Sequence, residues 1–188
     1  MGWSWIGFYG GEYLREIDLH NNIYLEELDL WDNHEIETID LSSNKSLKRL
    51  TCAGSNIKSL NLTNNKSLEY LDIEVTEIEE IDLSCNASLK QLLCGNTKIK
   101  KLDVSNNTQM EAIDVSDNVL TEIDLTKNKE LKSLVCSNNK LTVLDLSENE
   151  KLIRLKCDGN LITSLDLSKN KLIETENIIT DEGVNIIR

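Results

Sequence analysis

Residues 131–152 read LKSLVCSNNKLTVLDLSENEKL and contain one full copy of a 21-residue repeat. The same apolar-x-x-apolar-x-apolar start returns at 21-residue intervals, at Leu68, Leu89, Met110, Leu131 and Leu152. A fixed period of this length is typical of a solenoid, in which no single repeat buries its own apolar face and stacked neighbours build the core. The repeat therefore predicts one elongated domain made of similar turns.

Composition and charge disfavour several kinds of partner. The 188 residues carry a formal net charge of -13, and both nucleic acid and an anionic membrane select a basic surface instead. No apolar run is long enough to insert across a membrane. Residues 1–13 lack the charged start and the long apolar stretch of a secretory signal, so they leave the compartment open.

Each 21-residue turn has two halves that differ in spacing. In the first half a Cys or an aliphatic residue fills the sixth position, as Cys136 does, and the step from Asn139 to the next aliphatic, Leu141, is two residues. The second half carries Leu-Asp-Leu-Ser and steps by three, from Asn149 to Leu152. We therefore assign the first half to a parallel strand on the concave side of the solenoid, and the second half to the outer side.

The periodic positions predict about seven turns of 21–22 residues within residues 14–172. Residues 1–13 and 173–188 depart from the pattern. Because something must cover the ends of a solenoid core, we predict that they are an N-terminal cap and a C-terminal cap or tail of the same domain.

The pattern LxxLxCxxNxLxxLDLSxNxx over residues 14–172 resembles the 21-residue, cysteine-ladder leucine-rich repeats of bacterial surface proteins similar to internalin J. The resemblance implies a leucine-rich repeat solenoid, a mostly β version of the α/β-type horseshoe with a parallel concave sheet. It also implies a location at the cell surface or outside the cell, and adhesion through protein or glycan binding. Ile73 and Val115 depart from the pattern because they interrupt the column of cysteines.

The cysteines of the sixth-position column, Cys52, Cys94, Cys136 and Cys157, are predicted to be buried rather than bridged or metal-bound. Parallel strands lie about 4.8 Å apart, so Cys52, Cys94 and Cys136, two turns from one another, are about 9.6 Å apart and beyond the about 7 Å that a disulfide spans. Only Cys136 and Cys157 fall on neighbouring turns. Ligands strung along a line do not converge on one tetrahedral metal. Cys85 lies outside the column and is the candidate for a reactive thiol.

Polar columns run along the second half of the turn. If this half is a strand, its Asp and the Ser or Thr two residues later share one side, where the hydroxyl can bond the carboxylate or nearby backbone. A calcium ladder is the alternative, but the glycine-rich nonapeptide of calcium-binding β-helices is absent. We expect the neighbouring Asn column to satisfy backbone groups rather than carry sugar, although Asn-x-Ser/Thr acceptor sequences begin at Asn44, Asn61, Asn65, Asn86 and Asn106.

The positions that do not repeat predict where a partner binds. On the concave strand these are the third, fifth and seventh positions, and acidic turns alternate with basic or neutral ones, which predicts charge pairing between strands. Exposed aromatic, aliphatic and Arg side chains have the composition of protein-binding hot spots. The predicted partner-binding residues are Trp31, Arg49, Tyr70, Asp72, Gln91, Leu93, Val135, Arg154 and Lys156. Trp31 has an alternative place in an aromatic N-terminal cap with Trp3, Trp5 and Phe8.

The sequence predicts a recognition module and not an enzyme. His20 and His34 have no recognisable nucleophile partner, and we predict no catalytic residue, cofactor or metal. The leading hypothesis is a monomer that binds a protein across its concave face. The alternatives are a surface adhesin that binds glycan and an intracellular scaffold or inhibitor. Glycan binding calls for a row of exposed rings, of which the sequence offers only Tyr70 and Trp31.

Overall fold

The computed structural model describes residues 4–10 and 14–188, and its regular structure is almost entirely β. One 3-10 helix, Thr175–Asn177, is the only helix in these residues. The strands are β1 Trp5–Gly7, β2 Glu27–Asp29, β3 Arg49–Thr51, β4 Tyr70–Asp72, β5 Gln91–Leu93, β6 Ala112–Asp114, β7 Ser133–Val135, β8 Arg154–Lys156, β9 Ser164–Asp166, β10 Ile178–Ile179 and β11 Asn185–Ile187.

The strands form one long parallel sheet and one short one. Strands β1 to β8 and then β10 make a nine-stranded sheet in chain order, while β9 pairs with β11 elsewhere on the solenoid. Tyr70 lies opposite Gln91, and Gln91 lies opposite Ala112, so one full turn separates bonded neighbours. Each regular strand begins at the third position of the half that carries Cys. The predicted solenoid and its strand assignment are therefore confirmed.

The two ends of the chain lengthen the main sheet beyond the seven regular turns, which supply β2 to β8. At one end Trp5 lies opposite Glu27. At the other, Ile178 lies opposite Leu155, and Ile186 continues the outer side of the stack. The sheet therefore has nine strands. The predicted limits of the two caps stay predictions, and residues 1–3 and 11–13 of the N-terminal one, including Trp3, lie outside the described residues.

The core consists of aliphatic columns that run along the stack. The middle residue of each short strand points inward and its two neighbours point outward, because successive strand residues face opposite sides. Full burial of one such side chain contributes roughly 1.5–3 kcal/mol. The buried middle residues of the seven regular strands are Leu28, Leu50, Leu71, Leu92, Ile113, Leu134 and Leu155.

The cysteine column is part of this core. Cys52, Cys94, Cys136 and Cys157 are buried and none of the five cysteines is bridged. Burial raises the pKa of the first three thiols far above the usual range, and that of Cys157 to about 11. A thiol held protonated in apolar surroundings is a poor nucleophile and a poor metal ligand. The prediction of buried, unbridged cysteines is confirmed, whereas the reactivity of half-buried Cys85 stays a prediction.

A ladder of buried asparagines ties each turn to the preceding one. The Nδ2 of Asn107 donates to the main-chain oxygens of Leu83 and Asn86, at 3.2 and 2.8 Å. The side-chain oxygen is buried without a hydrogen-bond partner, so the amide acts only as a donor. The members, all fully buried, are Asn44, Asn65, Asn86, Asn107, Asn128, Asn149 and Asn170. The expected role of the column is confirmed.

The asparagine ladder also sorts the candidate glycosylation acceptors. Asn44, Asn65 and Asn86 have their amide nitrogens in the core, where no sugar can be attached. Asn61 and Asn106 are exposed and do not belong to the ladder.

The aspartates of the outer half stand directly before tight turns, and all but Asp166, the last residue of β9, lie outside strands, which corrects the prediction that they share a strand with the following Ser or Thr. The Oδ1 of Asp124 accepts from the main-chain N–H of Thr126 at 2.9 Å and from its hydroxyl at 2.7 Å. These bonds hold the pKa of Asp124 below its usual range. A short polar side chain competes for backbone groups in this way and favours a turn over a ladder. The same backbone bond recurs at Asp40, Asn61, Asp82, Asp103, Asp145 and Asp166.

The asparagine ladder generates a prediction about stability. We expect Asn107→Ala to lower the free energy of unfolding by about 1–3 kcal/mol, because the buried oxygens of Leu83 and Asn86 each lose one of their two donors and the two turns lose the bonds between them. The exposed neighbour offers a matched control, and Asn106→Ala should change it by less than about 0.5 kcal/mol. Urea unfolding of the three chains measures both differences. Equal effects of the two substitutions would contradict the role given to the ladder.

Candidate functional site

The candidate site is the outward surface of the main sheet. We call it the sheet face, and it comprises the first and third residues of β1 to β8 together with the residue two positions after each strand. All nine predicted partner-binding residues lie on it, exposed or half-buried. With about 4.8 Å per strand, the distance from Trp31, after β2, to Lys156 in β8 is roughly 29 Å. Their role in binding stays a prediction.

The middle of the sheet face holds an ordered polar cluster. The guanidinium carbon of Arg49 lies 3.9 Å from the ring centroid of Tyr70, a cation–π contact. The Tyr70 hydroxyl donates to Asp72 at 3.4 Å, and the other Asp72 oxygen accepts from the Glu74 N–H at 3.1 Å. Burial, followed by the nearby Asp72 carboxylate, raises the pKa of Tyr70. This side of the sheet therefore already holds one cation against a ring whose hydroxyl bonds a carboxylate.

Lysines and glutamates pair along the edge of the sheet face, one residue before each strand. Lys48 pairs with Glu26 at 3.0 Å, and Lys90 pairs with Glu69 at 2.7 Å. The distance from Lys132 to Glu111 is also 2.7 Å. The predicted charge pairing between neighbouring turns is thus found at this position. Each pair is nearly half exposed, so each contributes only about 0–1 kcal/mol.

Other carboxylates of the sheet face have no such partner. Asp29, Asp72, Glu74 and Asp114 take part in none of the ion pairs within residues 4–10 and 14–188. Burial raises the pKa of Asp72, and burial with repulsion from Asp72 and Asp114 raises that of Glu74. Gly95 makes room for them, since a Cβ there would lie 3.1 Å from a Glu74 oxygen. The result is an acidic strip without internal counter-charge.

Two aromatic residues of the sheet face were not among the predicted partner-binding residues. Trp5 is 47% and Tyr9 61% exposed, and their ring centroids lie 6.4 Å apart. The Trp5 ring lies across Gly7, where a Cβ would come within 2.5 Å of it. The main-chain N–H groups of Phe8 and Gly10 donate to the oxygens of Asp29 and Trp31, which extends the β1–β2 ladder as far as Tyr9 and Trp31.

These residues were missed because residues 1–13 were assigned to a cap. Trp5 and Tyr9 stand 22 residues before Glu27 and Trp31, so extending the third and seventh positions backwards by one turn would have found them. Trp31, at 51% exposure, also lies on the sheet face. It is not covered by an aromatic cap in the described residues.

The outer side offers less defined surfaces. Two open grooves of about 510 and 410 Å³ lie between turns, lined by residues 101–105 and 122–124 in one case and by Val143–Asp145 and their neighbours in the other. Their aspartates already accept hydrogen bonds from the turns. Within the described chain, no three His, Cys, Asp or Glu side chains are grouped so that they could hold a metal.

The histidines lie in exposed turns. His20 Nδ1 is 3.0 Å from the Ser43 hydroxyl, a hydrogen bond that the sequence did not predict. The contact joins turns 23 residues apart, which the linear sequence conceals. The pair is exposed on the outer side and does not line either groove. His34 Nε2 lies 3.0 Å from Asp32.

Comparison with known proteins supports the same family. The Leucine Rich repeat model matches residues 137–152. The functional domain of internalin J from Listeria monocytogenes, described as including a cysteine ladder, has 29% identity and a TM-score of 0.77 over 90% of this chain and 42% of that chain. The chain has the leucine-rich repeat fold and is similar to internalin J. No curated protein matches the chain by sequence.

Two further structures share the leucine-rich repeat fold. A leucine-rich repeat protein of Leptospira interrogans has 20% identity and a TM-score of 0.83, over 89% of this chain and 46% of that one. Internalin C2 of Listeria monocytogenes has 21% identity and a TM-score of 0.72, over 87% and 73%. The chain spans less than half the length of the internalin J and Leptospira structures. The described residues contain no helix that is long and apolar enough to span a membrane.

The acidic strip generates a pH-dependent prediction. Because the pKa of Glu74 is raised in the folded chain, its charge destabilises the fold above that pKa, and the penalty disappears at lower pH. We expect Glu74→Gln to raise the free energy of unfolding at pH 7 by up to about 1 kcal/mol, allowing for solvent screening. At about pH 3 the gain should vanish.

Glu69→Gln is the matched control for this measurement. Lys90 lowers the pKa of Glu69, so the substitution should destabilise the chain at pH 7. Urea unfolding at both pH values tests the pair. Destabilisation by Glu74→Gln at pH 7 would contradict the unpaired state of the strip.

Proposed function

We propose that the chain is a non-enzymatic recognition module that binds a protein partner through its sheet face, which we take to be the concave side. The leucine-rich repeat fold is that of a protein-interaction module. The observation that carries the proposal is the division within each turn. Inward positions repeat Leu, Ile, Val or Cys, while outward positions along roughly 29 Å of sheet vary from turn to turn.

The chemistry of the outward positions supports a protein as the partner. Arg and Tyr are enriched among the residues that dominate binding energy at protein interfaces. Arg49 and Tyr70 are already held in one arrangement, so binding would cost them little side-chain entropy. Half-buried Leu93 and Val135 offer apolar contacts two turns apart. Gln91, Arg154 and Lys156 would extend the contact on either side.

Glycan binding is the second candidate, because Trp5 and Tyr9 add to the exposed rings that the sequence offered. The location at the cell surface or outside the cell remains part of the proposal and rests on the likeness to internalin J. An intracellular scaffold or inhibitor would use the same face and differs only in its compartment.

The test compares immobilised variants for capture of partners from host-cell and bacterial extracts, quantified by mass spectrometry. We expect Tyr70→Ala/Leu93→Ser to lose a protein that the unchanged chain retains, at a similar melting temperature, because both residues lie on the sheet face. The control, Val143→Ser/Leu161→Ser, removes two side chains that are 72% and 62% exposed off that face, and it should retain the protein.

Equal recovery by all three chains would contradict the sheet face as the binding surface. Loss from the control alone would move the site to the outer side.

A further inference from the structure

Three exposed aromatic residues at the start of the sheet face form a surface that the repeat itself does not require. We call Trp5, Tyr9 and Trp31 the aromatic platform. Each is about half exposed or more, although burying a large aromatic ring would stabilise the fold more than exposing it. Gly7 lets the Trp5 ring lie flat along β1 towards Tyr9. Exposed apolar area of this kind marks a surface that a partner covers.

The groups around the aromatic platform are acidic. Glu27 lies opposite Trp5 in the sheet. Asp29 follows in the same strand, and its Oδ1 accepts from the Trp31 N–H at 3.0 Å. Asp32 comes directly after Trp31. Ring faces carry partial negative charge, so the rings and these carboxylates favour the same kind of ligand, a cation.

Within the described residues, no Lys or Arg forms an ion pair with Glu27 or Asp29, and Lys48 pairs with Glu26 instead. Within the described residues up to position 34, Arg15 is the one Lys or Arg, and it pairs with Glu35 at 3.5 Å. Arg49 lies opposite Glu27, but its guanidinium stacks on Tyr70 instead. Elsewhere on the sheet edge each glutamate has a lysine one turn away. Glu27 and Asp29 beside the aromatic platform therefore take part in no ion pair within the described residues, unlike the glutamates of the sheet edge.

The neighbouring turns show what such a place binds. Arg49 lies over the ring of Tyr70, whose hydroxyl donates to Asp72, so on this sheet a ring that is bonded to a carboxylate holds one guanidinium. The aromatic platform repeats these two chemical groups two strands earlier and without the arginine.

We propose that the aromatic platform and its carboxylates bind Lys and Arg side chains from a basic segment of a protein partner. This inference rests on the proposed function and names the chemistry of the partner. The cationic groups stack on Trp5, Tyr9 and Trp31 and donate to Glu27 and Asp29. The unpaired Asp72 and Glu74 continue the attraction along the sheet, and the net charge of -13 speeds the encounter. A neutral sugar would stack on the rings but leave these carboxylates without counter-charge.

The probe is a synthetic Gly-Arg repeat peptide, with a Gly-Gln repeat of equal length as its neutral match. Tryptophan fluorescence and calorimetry measure binding. We expect the Gly-Arg peptide to bind at low salt and to weaken as the ionic strength rises, and the Gly-Gln peptide not to bind. Trp5→Ala/Trp31→Ala should weaken binding about tenfold or more, since two cation–π contacts are lost.

Matched variants separate this site from general attraction to an acidic protein. Asp29→Asn keeps the oxygen that accepts from Trp31 and should weaken binding, whereas Asp145→Asn removes the same charge from the outer column and should not. Tyr24→Ala removes an exposed ring that lies in the turn before β2, and it should leave binding unchanged. Far-UV circular dichroism and melting temperatures confirm that each variant is folded.

Equal affinity of the Trp5→Ala/Trp31→Ala variant and the unchanged chain would overturn the inference, as would equal losses in Asp29→Asn and Asp145→Asn. Binding of a neutral oligosaccharide, tested in place of the peptide, with no binding of Gly-Arg would overturn it in favour of glycan. Suppose that the Gly-Arg peptide does not bind, but Tyr70→Ala/Leu93→Ser captures less of a protein than the unchanged chain. The proposed function then stands and only this inference is overturned. If the platform variants lose peptide but sheet-face variants lose no protein, the proposed function fails instead.

Discussion

The side-chain amide of the buried asparagine in each turn is the interaction on which the rest of this structure depends. It donates twice to main-chain oxygens of the preceding turn, for instance from Asn107 to Leu83 and Asn86. The side-chain oxygen accepts no hydrogen bond, so the amide acts only through its N–H donors. A carboxylate has no such donors and could not replace it. The paired donors fix one turn against the next, which brings strand opposite strand and closes the aliphatic columns.

This arrangement separates stability from recognition. The asparagine ladder, the Asp-based outer turns and the inward Leu and Cys columns are the same in most turns, so they set the fold without selecting a partner. The outward positions are free to vary, and the charges there are of two kinds. Lys–Glu pairs along the edge neutralise one another, whereas Asp29, Asp72 and Glu74 point to solvent unpaired. The second kind is what a partner of opposite charge would meet.

Much of the fold and of the site could be predicted from periodicity. The step from Asn139 to Leu141 indicated the strands, and the stacking distance excluded bridges among Cys52, Cys94 and Cys136. Periodicity failed where a local interaction decided the geometry. Asp124 bonds its own backbone two residues on and forms a turn, so the outer half is mostly not a strand. The contact between His20 and Ser43 joins two turns without following the repeat, so one sequence gives no signal of it.

The site was predicted less completely than the fold for a related reason. Residues 1–13 were predicted to be a cap, so the outward positions were followed only as far back as β2. The predicted site therefore lacked Trp5 and Tyr9. The charge pairing predicted from the alternation is confirmed at the edge, where Lys90 forms an ion pair with Glu69. The alternation could not distinguish that edge from the fifth and seventh positions, where Asp72 and Glu74 have no lysine within reach.

The most direct test of this account is urea unfolding of a chain that lacks residues 68–109, two whole turns. The deletion keeps both the asparagine ladder and the Lys–Glu alternation in step, and it removes Tyr70 and Leu93. The account predicts a cooperative transition with a smaller dependence on urea, as expected for less surface exposed on unfolding. A chain that lacks residues 68–98 instead joins two outer halves directly, which leaves one strand half out of step with the stack, and it should unfold with a less cooperative transition. Equal cooperativity of the two shortened chains would contradict the account.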